Sequence, residues 1–78
     1  MKVYETNTVI AYLKKRELNK PYLKAKRYFE QGHTQMIKLK LLQPKHHKEY
    51  QFRINDKYRA RGFYKENGFL VTEISDHQ

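Results

Sequence analysis

Seventy-eight residues carry seventeen Lys and Arg against eight Asp and Glu, a formal charge of +9 with a sequence pI of about 9.9. A chain this short supports one domain, residues 1–78, with a modest core. The absence of Cys excludes disulfides and thiolate metal sites and fits a reducing compartment, the cytoplasm. Such a charge attracts polyanions, nucleic acid first, although an acidic protein or an anionic membrane surface feels the same field. Met1 to Glu5 lack the apolar run of a signal peptide, and no stretch approaches the ~18–20 apolar residues of a membrane span. A soluble protein is therefore expected. Seven Tyr and four Phe at regular apolar spacing supply material for a core and argue against disorder.

Thr6, Asn7 and Thr8 are N-cap residue types placed before Val9, Ile10 and Leu13, which share one helical face, so a first helix is predicted to about Leu18. Asn19-Lys20-Pro21 interrupts it and restarts a second, because Pro is tolerated in a first turn. Tyr22, Ala25 and Phe29 then form one face, with Lys24, Lys26 and Arg27 elsewhere, and Gly32 offers a left-handed terminator. The result is a helical hairpin with basic outer sides.

After Gly32 the apolar period shortens to two. Ile37, Leu39 and Leu41 alternate with Lys38 and Lys40 in a half-buried strand, which Gln43 to Lys48 breaks. Tyr50, Phe52 and Ile54 begin another strand, Tyr58, Ala60, Gly62 and Tyr64 mark a third, and a fourth runs from about Phe69 to Ser75. The fold class is α+β, an N-terminal helical hairpin packed on one face of a small antiparallel sheet.

Turn length sets register, and a one-residue slip turns every side chain over. A three-residue Asn55-Asp56-Lys57 loop places Ile54 opposite Tyr58, Arg53 opposite Arg59, Phe52 opposite Ala60 and Gln51 opposite Arg61. A two-residue turn mixes the faces and is rejected. A three-residue Glu66-Asn67-Gly68 loop, with Gly68 left-handed and a bulge following, pairs Tyr64 with Leu70, Phe63 with Val71, Arg61 with Glu73, Ala60 with Ile74 and Arg59 with Ser75. His77 comes next along that face.

Like charges directly opposite cost some tenths of a kcal/mol, so stability does not explain Arg53 facing Arg59. An incoming phosphate does, since Arg presents a planar fork of donors, with Lys38, Lys40 and Arg61 adding field. His46, His47 and His33 are not read as a metal site, because adjacent side chains in an extended segment point apart and no Cys or paired carboxylates complete a shell.

Two basic helices followed by Tyr50-Gln51-Phe52-Arg53-Ile54, Lys57-Tyr58-Arg59-Ala60 and Leu70-Val71-Thr72-Glu73-Ile74-Ser75-Asp76-His77 resemble the RelE/ParE toxin superfamily of bacterial toxin-antitoxin systems. The order of elements matches over almost the whole chain. In its RelE-like branch the resemblance implies a metal-independent, cofactor-free endonuclease that cuts messenger RNA on the ribosome, countered by a cognate antitoxin protein with an acidic binding segment. Attack of an RNA 2′-OH on the adjacent phosphorus needs orientation, cations for the phosphorane and proton transfers. Arg53 matches a basic position of the family's penultimate core strand and Arg59 its Tyr-Arg strand; both are implied to stabilise the charged phosphate. His77, of ordinary pKa ~6.5, is the implied general acid or base. Glu73 is either a general base or, as favoured here, the partner that holds Arg61.

Lys38, Lys40, Gln51 and Arg61 are expected to hold phosphates, and Tyr58 to pack in the core. Two departures count against cleavage: active relatives often continue past the position of Gln78 with a basic or tyrosine residue, and Gln51 stands where some carry Lys. A ParE-like inhibitor of DNA gyrase and a catalytically inactive RNA-binding relative therefore stand as alternatives.

Overall fold

A computed structural model describes residues 1–76 as five strands and two helices. Strand β1 (Lys2–Glu5) leads into α1 (Asn7–Lys15) and α2 (Asn19–Glu30). Then come β2 (Lys40–Leu41), a 3-10 turn at Lys45–His47, β3 (Tyr50–Arg53), β4 (Tyr58–Lys65) and β5 (Gly68–Asp76). Sheet order is β1-β5-β4-β3-β2. The expected α+β architecture is present, but the sheet is mixed: β1 runs parallel to β5, whereas every other pairing is antiparallel. Lys2-Val3-Tyr4-Glu5 carries the period-two signal of a half-buried strand in only four residues, with Val3 turned into the core.

The Thr6 hydroxyl caps α1 by accepting the Val9 N–H at 3.2 Å. This helix stops at Lys15, short of the expected Leu18. Glu17 adopts φ 57, the Leu18 amide bonds the Leu13 carbonyl at 2.8 Å, and the Glu17 amide bonds that of Lys14 at 3.2 Å. That is a Schellman end with Glu in the glycine position. Gly32, at φ 84, closes α2 through the same pair of bonds, as its sequence position implies.

Tyr22, Ala25 and Phe29 of α2 are buried as expected, against Phe52, Ala60, Phe69, Val71 and Ile74 of the sheet. Phe29 lies 4.9 Å from Phe69 and 5.4 Å from Phe52 between ring centroids. Lys26 turns inward rather than out, its ammonium 2.9 Å from Glu5, which also accepts the Tyr22 hydroxyl at 2.7 Å. Glu30 accepts the Val3 amide at 2.8 Å, so two carboxylates tie β1 to α2.

The expected strand from Ile37 to Leu41 contracts to Lys40–Leu41. Residues 34–38 are wound into turns, with amide bonds from Met36 to His33 and Leu39 to Thr34, and Lys38 at φ 51. Ile37 still reaches the core, and its carbonyl accepts the Arg53 amide at 2.7 Å.

The β3–β4 register matches expectation: Arg53 pairs Arg59, Phe52 pairs Ala60 and Gln51 pairs Arg61. In the β4–β5 hairpin the inner register also agrees, with Arg61 opposite Glu73, Ala60 opposite Ile74 and Arg59 opposite Ser75. Its tip does not. Lys65 pairs Gly68, Tyr64 pairs Phe69 and Phe63 pairs Leu70, and the bulge lies between Arg61 and Gly62 instead of after Gly68. This places the fully buried Phe69 ring, rather than Leu70, on the core face. Thr72 is the extra residue that restores apolar pairing beyond it.

Candidate nucleic-acid interface

With both helices on one face, alternation sends Lys40, Gln51, Arg53, Arg59, Arg61, Glu73 and Ser75 to the other. Two rows result. Lys40, Gln51, Arg61 and Glu73 follow one another across β2, β3, β4 and β5; Arg53, Arg59 and Ser75 form the next row. Strands ~4.8 Å apart and same-face residues ~6.7 Å apart along a strand bring three guanidinium stems within one small patch.

The Asn55–Lys57 loop organises two of these cations. Asn55 Oδ1 accepts the Lys57 and Tyr58 amides at 2.9 and 2.8 Å, an Asx-type turn that fixes the loop and its register. The turn then serves the arginines. Arg53 Nη2 donates to Asp56 Oδ1, and Arg59 Nη1 donates to the carbonyls of Asn55 at 2.6 Å and Tyr58 at 3.1 Å. The like-charge cost expected for Arg53 opposite Arg59 is thus relieved within the fold. Asp56 is almost wholly exposed, so its hold on Arg53 is that of a screened surface pair.

Arg61 differs. Its Nε is buried with no hydrogen-bond partner, and no ion pair joins it to Glu73 among the described residues. The expected role of Glu73 as the holder of Arg61 is therefore not realised: Glu73 stands opposite in register, exposed to solvent. An unpaired buried N–H costs about 1–3 kcal/mol.

Lys40 shares the row of Gln51, but Lys38 sits exposed in the turn before β2 and is not a sheet residue. His77 lies outside the described residues. The His46 and His47 rings contact edge to face at 4.5 Å on the 3-10 turn, not splayed on an extended segment, while His33 packs against Tyr28. Among the described residues no group of three or more His, Cys, Asp or Glu could hold a metal ion, and no helix is long and apolar enough to cross a membrane.

Comparison of the chain with protein-family models and with curated proteins finds no match.

Sequence reasoning missed Asn55 and Asp56 as partners of the arginines, because the spacing shows loop length and not where a guanidinium bends. It also missed Phe63 as a member of this face, although its place two residues after Arg61 carries that signal.

Proposed function

We propose that this protein is a RelE-like toxin that cleaves messenger RNA on the ribosome without a metal ion and is neutralised by a cognate antitoxin. One observation carries the reading: Arg53, Arg59 and Arg61 share adjacent register positions on the sheet face that the helices leave open. Three arginines on a solvent face match the need of a phosphorane for fixed, directional positive charge.

In the proposed reaction the RNA 2′-oxygen bonds to the adjacent phosphorus and the bond from phosphorus to the 5′-oxygen breaks. A 2′,3′-cyclic phosphate and a 5′-hydroxyl result. Arg53 and Arg59 carry the charge on the non-bridging oxygens, and Lys40, Gln51 and Lys38 hold flanking phosphates. Glu73, with no ion pair among the described residues, takes the 2′ proton, and His77 gives one to the leaving oxygen. A second reading, an RNA binder that does not cut, is favoured by the way Arg53 and Arg59 both turn to the Asn55–Tyr58 loop, away from Glu73.

Primer extension on messages after induced expression separates the readings. Cleavage at codon boundaries that disappears in Arg59→Ala and His77→Gln supports the endonuclease. Growth arrest with intact messages and damaged DNA points to a gyrase inhibitor instead, and harmless expression points to the binder.

A further inference from the structure

Beyond the bulge the open face changes character. Phe63 pairs Leu70 on β5, and Leu70 pairs Tyr4 on β1, so an apolar row crosses three strands beside the arginine rows. Strand spacing sets Phe63 and Tyr4 about 10 Å apart, with Leu70 between them. Tyr4 is 44% exposed and Phe63 half-buried. Lys65 places its ammonium 5.6 Å from the centroid of the Phe63 ring. The Phe63 and Arg61 stems lie about 6.7 Å apart on one strand, within the reach of a single nucleotide. Burial gains little from two aromatic rings on a solvent face. Rings beside arginines are what an unpaired nucleic-acid strand requires: π-faces for bases and cations for the backbone.

We propose that Phe63, Leu70 and Tyr4 form a stacking platform for unpaired RNA bases whose phosphates lie on Arg61 and the neighbouring arginines. This rests on the reading of those arginines as a phosphate site and adds a separate subsite through which the RNA is engaged by its bases. The bulge at Thr72 lies where the two rows meet, and a bulge bends its strand and increases local twist. Base and phosphate subsites therefore meet at a bend in the sheet. Duplex RNA, whose bases are stacked internally, offers nothing to the rings.

Fluorescence anisotropy with a short labelled single-stranded RNA, the same sequence as a duplex, and an abasic strand of equal length tests the platform. The intact single strand binds more tightly than either control. Phe63→Leu, which keeps apolar bulk but removes the ring, weakens binding of the base-bearing strand by about five- to a hundredfold. It leaves the abasic strand and the salt dependence unchanged, because no phosphate contact is lost. Arg61→Gln weakens both strands. Tyr4→Leu, at an exposed edge position, carries the same comparison if Phe63→Leu does not fold. The platform is overturned if the ring-deleted variants bind as the wild type does, if duplex binds as well as single strand, if polyglutamate competes as well as RNA, or if the wild type binds no RNA. Message cleavage in cells is read separately, so an inactive nuclease that still stacks bases is distinguished from a nuclease without the platform.

Discussion

Arg53 and Arg59 stand directly opposite each other on adjacent strands, yet each donates to the loop that joins those strands. Arg53 is held by a carboxylate and Arg59 by two backbone carbonyls, so the turn presents both cations at one end of the open face. The two anchors differ in strength. Asp56 is solvated and charged, hence a direct competitor for any phosphate that approaches Arg53. The carbonyls engage only Nη1 of Arg59, leaving Nε and Nη2 out of these bonds.

Asp56→Asn accordingly raises RNA affinity, because it removes the internal competitor and adds one positive charge to the net. Thermal stability changes little, since the lost pair is exposed. Anisotropy titrations at two salt concentrations check this: tighter binding with a steeper salt dependence is expected, and unchanged or weaker binding shows that Asp56 positions Arg53 instead of competing for it.

Arg61 opposes stability and function most directly. Its Nε is buried with no hydrogen-bond partner among the described residues. Arg61→Met keeps the unbranched stem and removes the unsatisfied donor, so it stabilises the fold by about 1 kcal/mol, or about 4–8 °C in Tm for a domain of this size. The same substitution weakens RNA binding. A variant that melts below the wild type shows that Nε finds an acceptor in solution.

Glu17 occupies the left-handed position of the α1 terminus, where a Cβ is costly and Gly is not. Gly32 fills the equivalent place in α2. Glu17→Gly therefore stabilises the protein by about 0.5–1 kcal/mol, measured as a shift in the urea midpoint with unchanged m-value. A fall in the midpoint means that Glu17 makes a compensating contact.

Pairing rules recovered the arginine rows, because putting Arg53 on the wrong face also puts Phe52 and Ala60 in solvent. The β5 tip was not legible for the converse reason. Both Phe69 and Leu70 are apolar, so patterning permits either inside, and the choice falls to the larger ring that fits against Phe29. Gly62 carried a hidden clue: a Cβ there collides with the Leu70 carbonyl and lies 2.7 Å from the Phe69 ring, so the backbone of β5 closes on β4 at the bulge. The β1 strand and the contraction of the expected Ile37–Leu41 strand to β2 depend on contacts with α2 and β3 that local spacing does not encode. Where guanidinium groups turn is likewise a tertiary outcome, which is why the candidate cations were visible and their partners were not.

The buried Tyr22 hydroxyl provides a test of the β1 anchor through pH. Burial, then the hydrogen bond to Glu5 and the nearby Glu30 charge, hold its pKa far above the ordinary tyrosine value. In the unfolded chain the same group titrates near ~10. Above that pH the unfolded state binds fewer protons than the folded one, so this contribution to stability is complete below pH ~10 and declines above it, by at most about 1.4 kcal/mol per pH unit. Tyr64, raised more weakly by burial and by Tyr50, has the same sign and is untouched by substitution at Tyr22. Tyr22→Phe loses the bond to Glu5 and is less stable at neutral pH by about 1.5–3 kcal/mol. Because Phe has no proton to release on unfolding, the gap between variant and wild type narrows as pH rises above 10. Urea titrations from pH 8 to 11 measure that gap, and a constant difference across the range shows that the Tyr22 hydroxyl does not stay protonated against Glu5 in the folded protein.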